Sequence, residues 1–462
     1  MARQDHSQDH FSDFFNERAG FKSLKPFSAF ALAAALIHLL TACQTSGDGP
    51  KGHRNVVQVP KSAMLLYEPA AENSPETLKK PYLILISIDG YRHDYIKKFT
   101  PPHLSQLASE GVQAESMRPI YPSKTFPNHY SMVTGMYADR HGIVGNEFFD
   151  PARGATFVLS DRKEVEDGTW YFGEPMWITA GKQGMLSASF FWAGSEADIQ
   201  GAHPNYFYRF DDAVSYDTRV DQVLAWLKLP PERRPHMITL YFESVDQAGH
   251  RFGVESQQVR DAVQAVDKQI GRLREGVKAL NLPVNYMVVS DHGMIDVDAK
   301  KVINLDERAD AARILAKFQA VGRGPQMLLY LNKGEPIALI DEAQKILNQG
   351  AQHFRVYRRE QMARLNFSST PRVGDLVVEP EMPYLVGLRA RLPHASGANH
   401  GWDPKNKQMH GIFVASGPAF KERVKLPSFE NVNLYPLVLT VLGLDQRVPV
   451  DGRIEATKAA LR

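Results

Sequence analysis

Three apolar runs along the chain are nearly unbroken by polar residues and end at acidic positions. Tyr82-Leu83-Ile84-Leu85-Ile86-Ser87-Ile88 runs into Asp89-Gly90, His236 to Phe242 leads to Asp246, and Val284 to Ser290 leads to Asp291-His292. Runs of this kind predict strands covered on both faces, as in a parallel sheet. Between the second and third, Val259, Val263, Val266, Ile270, Leu273 and Val277 recur at helical spacing and predict an amphipathic helix over 259–280. Strand, acidic residue, helix, repeated, is the pattern of an open α/β sheet that places ligands at the carboxyl ends of its strands. The segment 295–386 breaks that rhythm. It has a strand-like run at Met327–Leu331 and a helical stretch at Ile337–Leu347, and reads as a smaller α+β subdomain inserted on one side of the site. No self-similarity at a period of roughly 20–50 residues points to a repeat architecture.

The start of the chain follows a different rule. Lys22 and Lys25 precede the apolar run Phe27 to Leu40, which ends in Thr41-Ala42-Cys43. That run falls short of the roughly 20 apolar residues of a membrane span. A basic flank, a short apolar core and a small-residue exit instead describe a secretory signal peptide. Leu40-Thr41-Ala42-Cys43 also resembles a bacterial lipobox, whose cysteine becomes the lipidated first residue of the mature chain. The alternative is a buried helix with an incidental cysteine. Cys43 is the single cysteine, which fits lipid attachment and an absence of disulfides. The polar stretch ahead of Lys22 is long for a signal peptide and leaves the translation start open. Residues 1–43 are therefore read as signal peptide with lipobox, 44–80 as a flexible tether, 81–445 as one large domain and 446–462 as a C-terminal tail. The expected location is periplasmic or outer-membrane, with contact to the membrane only through the lipid. An apolar fraction of 43% against 23% charged residues excludes a disordered or fibrous chain. A net charge of +2 gives no nucleic-acid footprint, and no specific nucleic-acid binding is expected.

Six side chains at strand ends and bends can ligate a metal: Asp89, Asp246, His250, Asp291, His292 and His400. Carboxylate oxygen with imidazole nitrogen suits zinc or another borderline divalent ion. Asp246 and His250 stand four apart, so one helical turn can aim both at one ion. Asp291 and His292 are neighbours, which share an ion only where the chain leaves the pleat; the β-formers stop at Ser290 and Gly293 follows. Taken singly, each pair is equally a helix cap or a chance dipeptide. The stretch Tyr121 to His129 sets Thr125 between Pro122 and Pro127, which fix the local backbone. A threonine hydroxyl becomes a nucleophile only when a base or metal ion lowers its pKa; its alternative role is a turn hydrogen bond.

Together these pieces resemble the nucleotide pyrophosphatase/phosphodiesterases of the alkaline phosphatase superfamily. The matching text is Ser87-Ile88-Asp89-Gly90, Pro122-Ser123-Lys124-Thr125-Phe126-Pro127-Asn128-His129-Tyr130, Thr134-Gly135-Met136-Tyr137, His141-Gly142-Ile143-Val144-Gly145-Asn146 and Gly173-Glu174-Pro175-Met176-Trp177. It continues with Asp246-Gln247-Ala248-Gly249-His250, Ser290-Asp291-His292-Gly293-Met294 and Asn399-His400-Gly401-Trp402-Asp403. The resemblance spans about Tyr82 to Leu444, in the family's order. It implies an alkaline-phosphatase-like sandwich of helices around a mostly parallel sheet and two Zn2+. One would lie on Asp246, His250 and His400, the other on Asp89, Asp291, His292 and Thr125. It implies that Asn146 donates to a non-bridging phosphate oxygen, and that Phe126 and Tyr241 face the leaving nucleoside; ordinary packing is the alternative for both rings. The reaction implied is hydrolysis of nucleotide phosphodiester or pyrophosphate bonds by two in-line displacements, through a covalent nucleotidyl-threonine that yields nucleoside monophosphate. Other superfamily activities (phospholipid phosphodiesterase, phosphonate hydrolase, phosphomonoesterase) stand as alternatives. A silent binding protein is disfavoured by the complete ligand set, and the multi-span phosphoethanolamine transferases by the lack of apolar spans after Cys43.

Overall fold

A computed structural model describes residues 72–462. The stretch read as signal peptide, Cys43, and the part read as tether up to residue 71 lie outside the described residues. Eight strands form the central sheet: β1 Tyr82–Ile88, β2 Val112–Ala114, β3 Ser187–Phe190, β4 Tyr206–Tyr208, β5 Met237–Phe242, β6 Val284–Val289, β7 Phe413–Ser416 and β8 Val424–Leu426. Their order is β8-β2-β7-β6-β1-β5-β3-β4. β7 runs antiparallel to both neighbours and every other pairing is parallel, so the α/β, mostly parallel sheet is as expected. The three runs read from sequence are the three central strands, β5-β1-β6.

Their apolar continuity has a direct cause. Along β1, Leu83 and Leu85 enter one core while Ile84, Ile86 and Ile88 enter the other. Side chains alternate across a strand, so a strand covered on both faces needs apolar residues at every position. On one face lies α3, Gln257–Ala279, whose Val259, Val263, Val266, Ile270, Leu273 and Val277 are all buried. On the other lies α1, Thr125–Thr134, contributing Tyr130, Met132 and Val133. α2, Ser244–Phe252, follows β5 directly. Among the described residues no helix is long and apolar enough to cross a membrane.

Within 295–386, four antiparallel strands pair in the order Phe318–Val321, Met327–Leu331, Leu376–Pro380, Phe354–Arg358. The helix there, Leu339–Asn348, begins two residues later than the sequence pattern, leaving Ile337 exposed. At the root of this segment Ile295–Asp296 pairs with Ala398–Asn399, which returns the chain beside β6 immediately before His400. Residues 72–80, at the end of the stretch read as tether, and residues 446–462, read as a tail, are packed. Asn73 is buried and bonds the carbonyls of Pro231 and Arg234, and Thr77 bonds that of Gly184. Near the other terminus, Asp451 accepts from the Tyr137 N–H and from Arg140.

Candidate active site

The carboxyl ends of β1, β5 and β6 lie side by side, and the acidic residues follow from that register. Asp89 is the first residue past β1. Gly90 adopts φ +66°, and a methyl group on it would fall 2.8 Å from the Asp246 Cα, so glycine lets the two acidic turns approach. Asp246 lies in the first turn of α2 with His250 one turn on. Past β6, the Ser290 hydroxyl donates to the His292 carbonyl at 2.6 Å, holding the break in the pleat that lets Asp291 and His292 turn to one side.

Two adjoining clusters result. In the first, His292 Nε2 lies 2.9 Å from Asp291 Oδ2, 3.4 Å from Asp89 Oδ1 and 3.3 Å from Thr125 Oγ1. In the second, His250 Nε2 lies 3.4 Å from Asp246 Oδ2, and His400 Nε2 lies 3.1 Å from His250 Nε2 and 3.6 Å from Asp246 Oδ1. Ligands on a tetrahedral ion at 2.0–2.1 Å are separated by about 3.3 Å. The His292 and His400 rings stack at 3.5 Å where the clusters meet.

The hydrogen bonds around these groups fix which atoms face inward. Nδ1 of His250, His292 and His400 bonds the carbonyls of Ala398, Gly293 and Ser123 at 2.9, 3.0 and 2.8 Å. A carbonyl only accepts, so each Nδ1 carries a proton and each Nε2 is the nitrogen turned toward the carboxylates, free to ligate when unprotonated. Burial works against charge on His292, and the adjacent Asp291 carboxylate raises its pKa above the ordinary imidazole value. Tyr241 OH donates to Asp89 Oδ2 at 2.6 Å and the Gly90 N–H to Asp291 Oδ1 at 3.2 Å. The remaining oxygens, Asp89 Oδ1, Asp291 Oδ2 and Asp246 Oδ1, are buried without a hydrogen-bond partner. Burial, then Asp291 and Asp246, pushes the Asp89 carboxyl well above its ordinary range. Burial, then His292 and His250, holds His400 well below the usual imidazole value. Carboxylate oxygens and imidazole nitrogens that converge in this way, with buried oxygens left unpartnered, fit divalent cations.

Thr125 opens α1, at the positive end of the helix dipole. Asn128 braces the turn before it, donating to the carbonyls of Pro122 and Lys124 and accepting from the Ile120 N–H. His129, fully buried, bonds the Thr125 carbonyl at 2.9 Å and Ser87 Oγ at 2.8 Å, joining α1 to β1. Asn146 Oδ1 accepts the Phe126 N–H at 3.0 Å, which fixes the amide and leaves its Nδ2 to donate outward. Tyr241, expected to face the leaving nucleoside, has its hydroxyl committed to Asp89 and its ring edge-on to His129. Lys124 runs past Gly401, where a methyl group would meet its Cε at 3.2 Å, so its stem lies beside His400.

Two apolar side chains that sequence reading missed border the site. Phe210, 37% exposed, lies 6.2 Å from the Tyr241 ring, and Leu159, 41% exposed, has its N–H on the Asn146 carbonyl. Neither stands in a motif or a periodic segment. Asn128 and His129 carried a fainter signal: polar residues inside the first turns of a helix whose neighbours are apolar.

The family model of type I phosphodiesterase/nucleotide pyrophosphatase matches residues 83–403. A venom phosphodiesterase of Naja atra is 34% identical over 383 residues, 81% of this chain and 46% of the relative. Human ectonucleotide pyrophosphatase/phosphodiesterase family member 1 is 36% identical over 388 residues, 80% of this chain and 41% of the relative. The chain thus spans less than half the length of these curated relatives. Among solved structures, murine ectonucleotide pyrophosphatase/phosphodiesterase 5, as an inactive threonine-to-alanine variant in complex with AMP, superposes with a TM-score of 0.76. It shares 28% identity, covering 83% of this chain and 100% of that one.

Proposed function

The chain belongs to the type I phosphodiesterase/nucleotide pyrophosphatase family, and on that premise we propose that it is a zinc-dependent hydrolase of nucleotide phosphodiester and pyrophosphate bonds with Thr125 as nucleophile. One observation carries the reading: Thr125 Oγ1 lies 3.3 Å from His292 Nε2, at the edge of two Asp/His groups that could each hold a metal ion and that include buried carboxylate oxygens without a hydrogen-bond partner. Asp89, Asp291, His292 and Thr125 would hold one ion and Asp246, His250 and His400 a second. Bound there, the ions supply positive charge that acidifies the threonine hydroxyl and offsets charge on the phosphoryl oxygens. Thr125 Oγ1 bonds to phosphorus as the bond to the leaving oxygen breaks, and its proton passes to solvent. Water from the vacated side then releases nucleoside monophosphate and restores the hydroxyl. Asn146 Nδ2 donates to a non-bridging oxygen, a preorganised donor matched to charge that grows in the transition state. Lys124 gives a phosphate-bearing leaving group a cation. The neighbour that binds AMP and is inactive with one threonine changed to alanine supports both substrate class and nucleophile.

Phe126, Phe210 and Leu159 offer an apolar seat to a nucleoside, which a monoester does not use. Stacking on such a surface is worth about 1–3 kcal/mol, or roughly ten- to hundredfold in rate. In a panel of ATP, UDP-sugars, diadenosine polyphosphates, lysophosphatidylcholine and nitrophenyl phosphate, the nucleotides are expected to have the highest kcat/KM, and Phe126→Ala to narrow the gap to nitrophenyl phosphate. A wild-type preference for the monoester overturns the reading in favour of a phosphomonoesterase, and a preference for the choline lipid in favour of a phospholipid phosphodiesterase.

We also propose export and lipidation at Cys43, supported by the apolar run and lipobox-like exit of the sequence alone. Cys43→Ser is expected to move the protein out of the membrane fraction or leave an unprocessed precursor. A mature wild-type chain without acyl groups by mass spectrometry removes this proposal.

A further inference from the structure

The strand Glu147–Asp150 starts directly after Asn146 and pairs only with Ala155–Val158, outside the central sheet. A two-stranded hairpin of this length has little stability of its own. Phe148 and Phe157 root it in the core against Trp170, and side chains of the segment that follows β6 hold its first strand from the other side. Arg391 donates to both carboxylate oxygens of Glu147 at 3.1 and 3.0 Å. The Tyr330 hydroxyl accepts the Phe149 N–H at 3.2 Å and donates to the Arg372 carbonyl at 2.5 Å, with its ring edge-on to Phe149. Arg372 Nε donates to Asp150 Oδ2 at 2.8 Å, and its Nη1 bonds the carbonyls of Gly142 and Trp170. Glu147, Phe149 and Asp150 are thus gripped from outside, and Tyr330 and Arg372 are both buried. The hairpin in turn supports the site from below. Phe157 stacks on Phe148 and lies 5.9 Å from Phe126, while the Leu159 N–H meets the Asn146 carbonyl.

We propose that Tyr330 is a positioning residue for the reaction, holding the 147–158 hairpin so that Asn146 Nδ2 meets the phosphoryl oxygen. The inference rests on the role given to Asn146 above. Among the gripping contacts Tyr330 is the separable one, because Tyr330→Phe removes a single oxygen and keeps the ring and the Arg372–Asp150 pair. A displacement near 1 Å at a catalytic donor costs on the order of a hundredfold, so a partial loosening is expected to lower kcat on a nucleoside diester about tenfold. KM should stay within about twofold, since this donor acts mainly in the transition state. Asn146→Ala alone is expected to cost about 10²–10³-fold. In that background Tyr330→Phe should cost less than about twofold, the non-additivity of residues acting through one another. Arg391→Gln, at an exposed contact to the same strand, is expected to repeat the pattern more weakly and carries the test if Tyr330→Phe does not fold. Equal losses in both backgrounds, or a loss confined to KM, overturn the inference while Asn146 keeps its role. A wild-type rate for Asn146→Ala overturns the reading of Asn146 and Tyr330 with it.

Discussion

Thr125→Ala is expected to abolish turnover, by roughly three orders of magnitude or more, as loss of a nucleophile does, while the protein folds normally. The side chain is half-buried at the first position of α1, and its Oγ1 has one polar neighbour, His292 Nε2. The turn around it is held by other groups: Asn128 binds the carbonyls of Pro122 and Lys124, and His129 binds the carbonyl of residue 125 itself, which alanine retains. A substitution that leaves those bonds in place should cost no more than about 1 kcal/mol of stability. Thr125→Ser keeps the hydroxyl and should keep part of the rate. The measurement is kcat on a nitrophenyl nucleotide diester beside a thermal melt. An alanine variant that retains more than a few per cent of wild-type rate, with the wild-type melt, means that water attacks directly and that no nucleotidyl-threonine forms.

What sequence reading could see follows from what burial demands of composition. β1, β5 and β6 were legible because a strand between two layers is apolar on both faces, and the buried stripe of α3 because it keeps one face for 23 residues. The six candidate ligands were legible because each sits where an apolar run ends or a glycine-rich bend begins. The hairpin at 147–158 was not: its strands are short, and besides Phe148 and Phe157 in the core it is held by single contacts from Arg391, Tyr330 and Arg372, more than 170 positions downstream. Tyr241 reads as a strand residue, and only the parallel register of β5 against β1, with Tyr241 opposite Ser87, brings its hydroxyl to Asp89. Residues 72–80 mislead by composition. Polar content measures how little apolar surface a segment can bury, and says nothing of bonds such as the Asn73 amide to the backbone of Pro231, Arg234 and Leu186.

Removing metal is expected to be as damaging as removing the nucleophile, and to be visible without a substrate. Chelation by EDTA should take activity to background, and zinc should restore it. The deeper consequence is for the fold around β1, β5 and β6. The buried Asp89 and Asp291, the half-buried Asp246 and three imidazoles converge there, with Asp89 Oδ1, Asp291 Oδ2 and Asp246 Oδ1 lacking a hydrogen-bond partner. Without cations that arrangement must take up protons or open, because an unpaired buried charge costs several kcal/mol. Ions that bind only the folded chain stabilise it by about 2.7 kcal/mol at a free concentration of 100 times Kd, so the chelated protein should melt several degrees lower and recover with zinc. Two ions per chain are expected by elemental analysis, one for each cluster. Tyr241→Phe gives a graded version of the same test. It removes the 2.6 Å donor that orients Asp89 and leaves every proposed ligand in place, and loss of such a partner weakens metal affinity about 10- to 100-fold. Its zinc titration should therefore shift to higher concentration with a near-wild-type rate at saturation. A fully active preparation with fewer than two ions per chain would sink the two-ion scheme, and an unchanged melt after complete chelation would show that the cluster is stable with protons alone.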